Sequence, residues 1–497
     1  MVTEVHLTSQ SAENWESSSV NADAIYFLMS PGWKKEMRSN RWHYATRWAR
    51  SLPVVLVQPV ADMPIDNICS EIEPRIENCR ILYVRAFHEH ADSLFDGVAQ
   101  AEQIRQDIKR KGYKRVLLWM YNPNYVVGWE LVPAVGRIYH ATENHFEYTN
   151  NSPDFEARLR ACLRSADAVI CCSEGVANSY SQHTRGKVLT LTNGCDYKFY
   201  ASGKSDRELA VLGENYAKIV VYAGNLDDRL DYDMMFKAAR KNPNFLFALY
   251  GRTNFTRPVN ETAWSKLKQL SNVCHLGLVP PEKLPDIYAA GDVGLAPYMA
   301  DPLLKRNTIP LKVFEMIAAK LPVVATNLDM LRPFQTKGLA VVDTTEDFVA
   351  TVHTTASSTL SQQDQIELEK LGRGQDYDVK FEKARELVRR VAADREVSAT
   401  LVERRYKIAG AGPDHDQRFD FPQTFVYLDD FVQFENFLEI PRRENESEDE
   451  IERRISERVI STLMRGIYYY VWKNLPLNVK NFIKAHFAER LKKCVRL

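Results

Sequence analysis

The 497-residue chain carries no excess of either charge: 65 Lys and Arg stand against 65 Asp and Glu. That balance argues against a general nucleic-acid binder and leaves only a local basic patch open. No apolar run reaches the ~20 residues of a membrane-spanning helix, so a soluble or surface-attached protein is expected. The first twenty residues are polar, with no basic stretch leading into an apolar one, so no signal peptide is expected. The 8 Cys show no metal-ligand spacing. Cys171 and Cys172 sit side by side in an apolar run and read as small buried hydrophobes. A reducing cytosol fits that usage. No internal repeat of solenoid period is present.

What is there is alternation. Apolar β-branched runs at 24–29, 53–58, 81–84, 115–120, 137–142, 167–173 and 187–194 read as strands. Helical stretches at 38–50 and 155–166 lie between them. The pattern restarts with strands at 218–226, 244–251, 273–277, 292–298 and 322–326, and helices at 230–241 and 281–290. Apolar strands alternating with helices predict parallel sheets covered on both faces. The fold class is therefore α/β, with two Rossmann-like domains facing a cleft and a mainly helical C-terminal extension. The expected boundaries are a polar tail at 1–22, domains at 23–205 and 206–380, and the extension at 381–497. Ligands of such sheets bind beyond the carboxyl ends of the strands, so the cleft is the default site.

Two segments carry a resemblance. "LTNGCDYKFY" (191–200) ends the first half, and "IPLKVFEMIAAKLPVVAT" (309–326) lies within the second. Asn193, Gly194, Asp196 and Tyr200 match an Asn-Gly-x-Asp landmark, and the second run matches Pro-Leu-Lys-x-x-Glu followed by a Pro-Val-Val-Ala strand. The chain thereby resembles retaining GT-B glycosyltransferases of the large bacterial group 1, closest to those of capsule, teichuronic-type and exopolysaccharide assembly. The resemblance covers roughly residues 24–380. It implies transfer of a sugar from a nucleotide-sugar to a glycan or lipid-linked glycan acceptor.

It also implies roles. Glu315 would accept hydrogen bonds from ribose hydroxyls, since a carboxylate offers two acceptor oxygens to a vicinal diol. The family's second Glu, eight residues earlier, is replaced here by Asn307, which can still bond sugar hydroxyls; Asp301 is an alternative carboxylate. The diphosphate would meet backbone N–H groups near Asn307, Thr308 and Ile309 at a helix start. Cations would come from Arg229 and Lys312, with Arg252, Lys305 and Arg306 behind them; Asn225 stands where the family usually has Arg. Gly32 would let the backbone approach a ligand. Trp33, Arg38 and Arg41 are the acceptor-binding candidates, with Trp42 and Trp48 equally readable as core. His140 and Glu143 would sit by the reacting centre, with Asn307. No Asp-x-Asp lies between two apolar strands, so no metal is expected; "LDD" (226–228) reads as helix capping. No cofactor is expected beyond the nucleotide-sugar substrate.

Residues 463–497 are rich in Lys, Arg and aromatics, and Val479, Phe482, Ile483, Phe487 and Leu491 share a helical face. Such a helix can lie on an anionic membrane or pack on protein. The charge run 442–454 reads as a solvated helix start. The expected location is the cytoplasm, with possible contact at the inner face of the membrane. Two other readings stay open: a sugar-nucleotide 2-epimerase of the same fold, and a non-catalytic scaffold subunit.

Overall fold

A computed structural model describes residues 20–30, 32–60, 69–85, 94–147 and 153–393. Residues 394–497, with the charge run and the basic tail, lie outside the described residues, as do 1–19.

The first sheet holds β1 (Ala24–Leu28), β2 (Val54–Val60), β3 (Cys69–Ile72), β4 (Cys79–Arg85), β5 (Val116–Met120), β6 (Gly136–Ala141), β7 (Ala168–Cys171) and β8 (Lys187–Thr190). Their order is β3-β4-β2-β1-β5-β6-β7-β8. All pairs are parallel except β3 with β4. Strand periodicity sorts the side chains by face. Tyr26, Leu28, Val55 and Val57 enter one buried cluster; Ile25, Phe27, Val54 and Leu56 enter the other. Each such side chain contributes about 1.5–3 kcal/mol on burial. β3 has all four residues exposed, so no apolar run marks it in the sequence.

The second half holds β9 (Lys218–Ala223), β10 (Leu226–Asp227), β11 (Phe245–Tyr250), β12 (Thr253–Asn254), β13 (Val273–Gly277), β14 (Val293–Ala296), β15 (Val323–Thr326) and β16 (Leu339–Val342). Six of them form a parallel sheet ordered β13-β11-β9-β14-β15-β16, and β10 pairs with β12 alone. The strand order reverses between β1 and β5 in the first sheet, and between β9 and β14 in the second. Those switch points open crevices at the carboxyl ends of the strands.

The chain crosses between the halves twice, and the crossings are tied together. Cys195 N donates to Gln375 O at 3.0 Å and Tyr377 N donates to Cys195 O at 2.9 Å. A methyl group at Gly194 would collide with the Gln375 carbonyl and Lys380, so only glycine fits this approach. The helix Tyr377–Ala392 then returns to the first domain: Tyr377, Phe381, Ala384, Val388 and Val391 join the cluster of Trp48 and Ile25. This differs from an extension beginning at 381, because the helix's apolar stripe is needed to cover the first sheet. Arg47 reinforces the docking with Asp378 at 2.7 Å.

Candidate active site

The crevice of the second sheet is built at the end of β9. Gly224 has φ 148°, and a side chain there would strike Lys312 Nζ. Lys312 projects from the helix Leu311–Ala318. Its Nζ donates to Tyr222 Oη at 2.7 Å and lies 4.1 Å from that ring's centroid. Tyr222 Oη in turn donates to Asn225 O at 2.7 Å, which fixes the turn after β9. Burial, reinforced by the charge of Arg229, lowers the Lys312 amine to about 7. Arg229 forks onto Asp227 at 2.6 Å and keeps about half its side chain exposed. Arg252 is exposed just after β11. Only a glycine at 224 leaves room for the Lys312 side chain at the end of β9.

Glu315 lies one turn further along the helix and is buried. Burial raises its carboxyl to about 7 against the opposing influence of Tyr200, Lys312, Tyr288 and Arg38. Tyr288 Oη is buried without a hydrogen-bond partner, so it approaches Glu315 without bonding it. A buried carboxylate beside two phenols and a lysine is a site for a hydroxyl-bearing ligand.

The helix start differs from the sequence expectation. Asn307 ends a separate helix, Pro302–Asn307, and Thr308 N is already bonded to Leu304 O at 3.1 Å. Ile309 is buried and its carbonyl accepts from Asn193 Nδ2 at 2.9 Å. The helix with Lys312 and Glu315 begins at Leu311, behind Pro310, so the N–H groups of 307–309 do not form its first turn. Asp301 caps the preceding helix through Leu303 N and Leu304 N, at 2.8 and 3.0 Å. Lys305 turns toward Asp343 at 3.6 Å. The "LDD" segment caps nothing: Asp227 holds Arg229, Asp228 holds Thr256 and Asn260, and Asp231 caps the helix Tyr232–Lys241.

On the first domain, Gly32 is exposed with φ 98°, directly after β1. Trp33 is fully buried, with Nε1 donating to Glu73 at 2.5 Å. It therefore anchors the loop from inside and presents no face to an acceptor. Trp48 is likewise core. Arg41 pairs with Glu36 at 2.7 Å and braces the same loop. Arg38 reaches the opposite domain: its guanidinium pairs with Glu282 at 2.9 Å and lies 4.3 Å from the Phe199 ring centroid. His140 is fully buried among Tyr44, Trp119 and Tyr121, and neither ring nitrogen has a hydrogen-bond partner. Burial lowers it to about 3, so it is a neutral core ring rather than a group at the reacting centre. Glu143 is exposed after β6. Asn307 Nδ2 donates across the cleft to Glu147 Oε2 at 2.9 Å, and Arg306 approaches the same oxygen at 3.4 Å. Asn40 Nδ2 donates to Asn193 Oδ1 at 3.2 Å, linking the first domain to the Ile309 carbonyl.

The stretch from 217 to 358 matches the family described as Glycosyl transferases group 1. The chain is also similar to TuaH of Bacillus subtilis (strain 168), provisionally named a teichuronic acid biosynthesis glycosyltransferase. It is 30% identical over 177 residues, 35% of this chain and 43% of TuaH, so the match spans less than half of that relative. Two solved structures share the fold at low identity. Sucrose-phosphate synthase (tll1590) from Thermosynechococcus elongatus aligns with TM-score 0.57 and 15% identity over 75% of this chain and 100% of that one. Anabaena Alr3699/HepE in complex with UDP and glucose aligns with TM-score 0.53 and 14% identity over 73% of this chain and 98% of that one. The arrangement is the GT-B fold.

Lys312, Glu315, Arg229, Arg252 and Asn307 all fall inside the matched stretch 217–358. Tyr222, Tyr288 and Glu282 join them there, unmarked in the sequence because each reads as an ordinary strand or helix residue. Glu147 was missed for a different reason: its partner lies 160 residues away. Among the described residues no group of three or more His, Cys, Asp or Glu could hold a metal, and no helix is long and apolar enough to cross a membrane.

Proposed function

We propose that this chain is a glycosyltransferase that moves a sugar from a nucleotide-sugar to a glycan or lipid-linked glycan in surface polysaccharide assembly. One observation carries the reading: Lys312 Nζ packs directly against Gly224 at the end of β9, with Glu315 one helical turn beyond it. A diphosphate placed over Gly224 meets Lys312 and Arg229, and the ribose falls toward Glu315. The TuaH likeness supports the polysaccharide context, and the UDP and glucose named for Alr3699/HepE support the donor class.

The transfer breaks the bond from the sugar's anomeric carbon to the diphosphate oxygen and forms one to the acceptor oxygen. Negative charge grows on the departing diphosphate, where Lys312, Arg229 and the start of the helix at Leu311 stabilise it. The acceptor proton passes to the departing phosphate. The reaction is read as retaining and metal-independent, with no side chain assigned as nucleophile. Lys312 near neutrality takes up a proton as the diphosphate arrives, so charge is created where it is needed.

The test is turnover of nucleotide-sugars by the purified chain, with Glu315→Ala alongside. Consumption of one donor by the wild type, with a loss of about a hundredfold in the variant, is expected. Unchanged turnover in the variant removes the ribose assignment. Absence of turnover with any donor, but tight nucleotide binding, favours a scaffold.

A further inference from the structure

Arg38 belongs to the first domain by sequence, yet its side chain serves the second. It sits in left-handed backbone, φ 61°, a conformation unfavourable for a non-glycine residue. Such strain persists where surrounding contacts over-determine it and is concentrated at ligand sites. The contacts of the Arg38 guanidinium reach across the cleft. Glu282, on the turn leading into the helix Leu284–Ala290, takes the guanidinium at 2.9 Å. The Phe199 ring lies beneath it, 4.3 Å away. Phe199 meets Tyr200 edge-on at 5.0 Å, and Tyr200 packs on Tyr288 at 5.9 Å. Tyr200 and Tyr288 are the phenols that face Glu315, and the Arg38 charge also favours the ionised form of that carboxylate.

We infer that Arg38 completes the nucleoside end of the donor pocket from the opposite domain, closing over the ligand with Glu282 and Phe199 as its supports. The inference rests on the nucleotide-sugar reading above. A planar cation suits this place: it can stack on a base or bond a ribose oxygen while its far edge stays on Glu282. The left-handed backbone at 38 directs the side chain across the cleft instead of along the loop with Arg41. Nucleoside binding then requires the two domains to be together, and the phosphate end does not.

The experiment is calorimetric titration of the full chain with uridine, guanosine and adenosine diphosphates and with inorganic pyrophosphate. Arg38→Ala is compared with Arg38→Gly, which suits the left-handed backbone, and with Lys312→Met. The expected result is a loss of about tenfold or more in nucleoside diphosphate affinity for both Arg38 variants, with pyrophosphate affinity unchanged. Lys312→Met should weaken both ligands. Equal weakening of both ligands in the Arg38 variants makes Arg38 a phosphate cation and overturns the assignment. Unchanged nucleoside diphosphate affinity in Arg38→Gly overturns it too. A wild-type chain that binds no nucleoside diphosphate refutes the nucleotide-sugar reading itself, and this inference falls with it.

Discussion

Lys312 and Glu315 should make the protein least stable near neutral pH when no ligand is bound. Burial raises Glu315 from 4.5 to about 7 and lowers Lys312 from 10.5 to about 7. For Glu315, the folded chain holds a proton that the unfolded chain has released between those limits. Its contribution is complete below pH 4.5 and lost as pH rises through 7. For Lys312 the unfolded chain holds the extra proton. Its contribution is present above pH 10.5 and lost as pH falls through 7. At about 1.4 kcal/mol per tenfold, Glu315 withdraws about 3 kcal/mol across the acid window. Lys312 returns up to about 5 kcal/mol across the alkaline one.

Urea denaturation between about pH 5 and pH 9 reads this directly, since the midpoint follows stability at constant slope. The wild type should show a minimum near pH 7. Glu315→Gln should remove the falling acid limb, and Lys312→Met the rising alkaline limb. Saturating nucleoside diphosphate should fill the minimum, because the ligand supplies the anion Lys312 lacks and the hydroxyls Glu315 lacks. Ligand at 100 times its Kd adds about 2.7 kcal/mol. A flat wild-type profile, or variants that keep both limbs, would refute the reasoning.

Other outcomes follow from the same geometry. His140→Phe keeps an aromatic ring among Tyr44, Trp119 and Tyr121 and removes two unpartnered nitrogens. Stability should hold or rise by about 1 kcal/mol, with turnover within about threefold; a turnover loss of a hundredfold would return His140 to the reaction. Gly224→Ala pushes a methyl group into Lys312 Nζ and strains the backbone, so nucleoside diphosphate affinity measured by titration should fall at least about tenfold. Gly194→Ala forces the two crossings apart at the Gln375 carbonyl and should cost about 1–3 kcal/mol in a denaturation curve. Asn307→Glu sets two carboxylates against each other across the cleft and should weaken donor binding, while adding Glu147→Gln should restore it.

Much of the fold was legible because burial on both faces writes itself into strands as continuous apolar runs. Arg229, Lys312 and Glu315 could be singled out in the sequence because they sit near strand and helix termini, whereas Gly224 was not. What stayed hidden follows two physical rules. β3 is exposed along its length, so it has no apolar signature. Helix 377–392 was read as part of a charged region, although its stripe of Tyr377, Phe381, Ala384 and Val388 closes the first core. Trp33 and His140 were misplaced for one shared reason. A polar-edged ring looks alike on paper whether it faces a cleft or a core; only the packing of Glu73 against one and Tyr121 against the other decides it.

Asn307 shows how a departure in sequence can be answered in space. Read alone, the amide stands where the resemblance leads one to expect a carboxylate. In the structure a carboxylate is present at that point, but it is Glu147, delivered from the other domain and held 2.9 Å from Asn307 Nδ2. An amide can donate to it, whereas a second carboxylate at 307 would face like charge at contact distance and one of the two would have to take up a proton. Arg306 beside it adds a cation to the same oxygen. Arg38 on Glu282 is the reverse pairing, cation from the first domain and acid from the second. The two domains are therefore joined across the cleft by charges of opposite polarity, away from the crossings at 194–195 and 375–377. The side chains that join the domains also border the proposed donor site, so on that reading closure and donor binding draw on the same contacts.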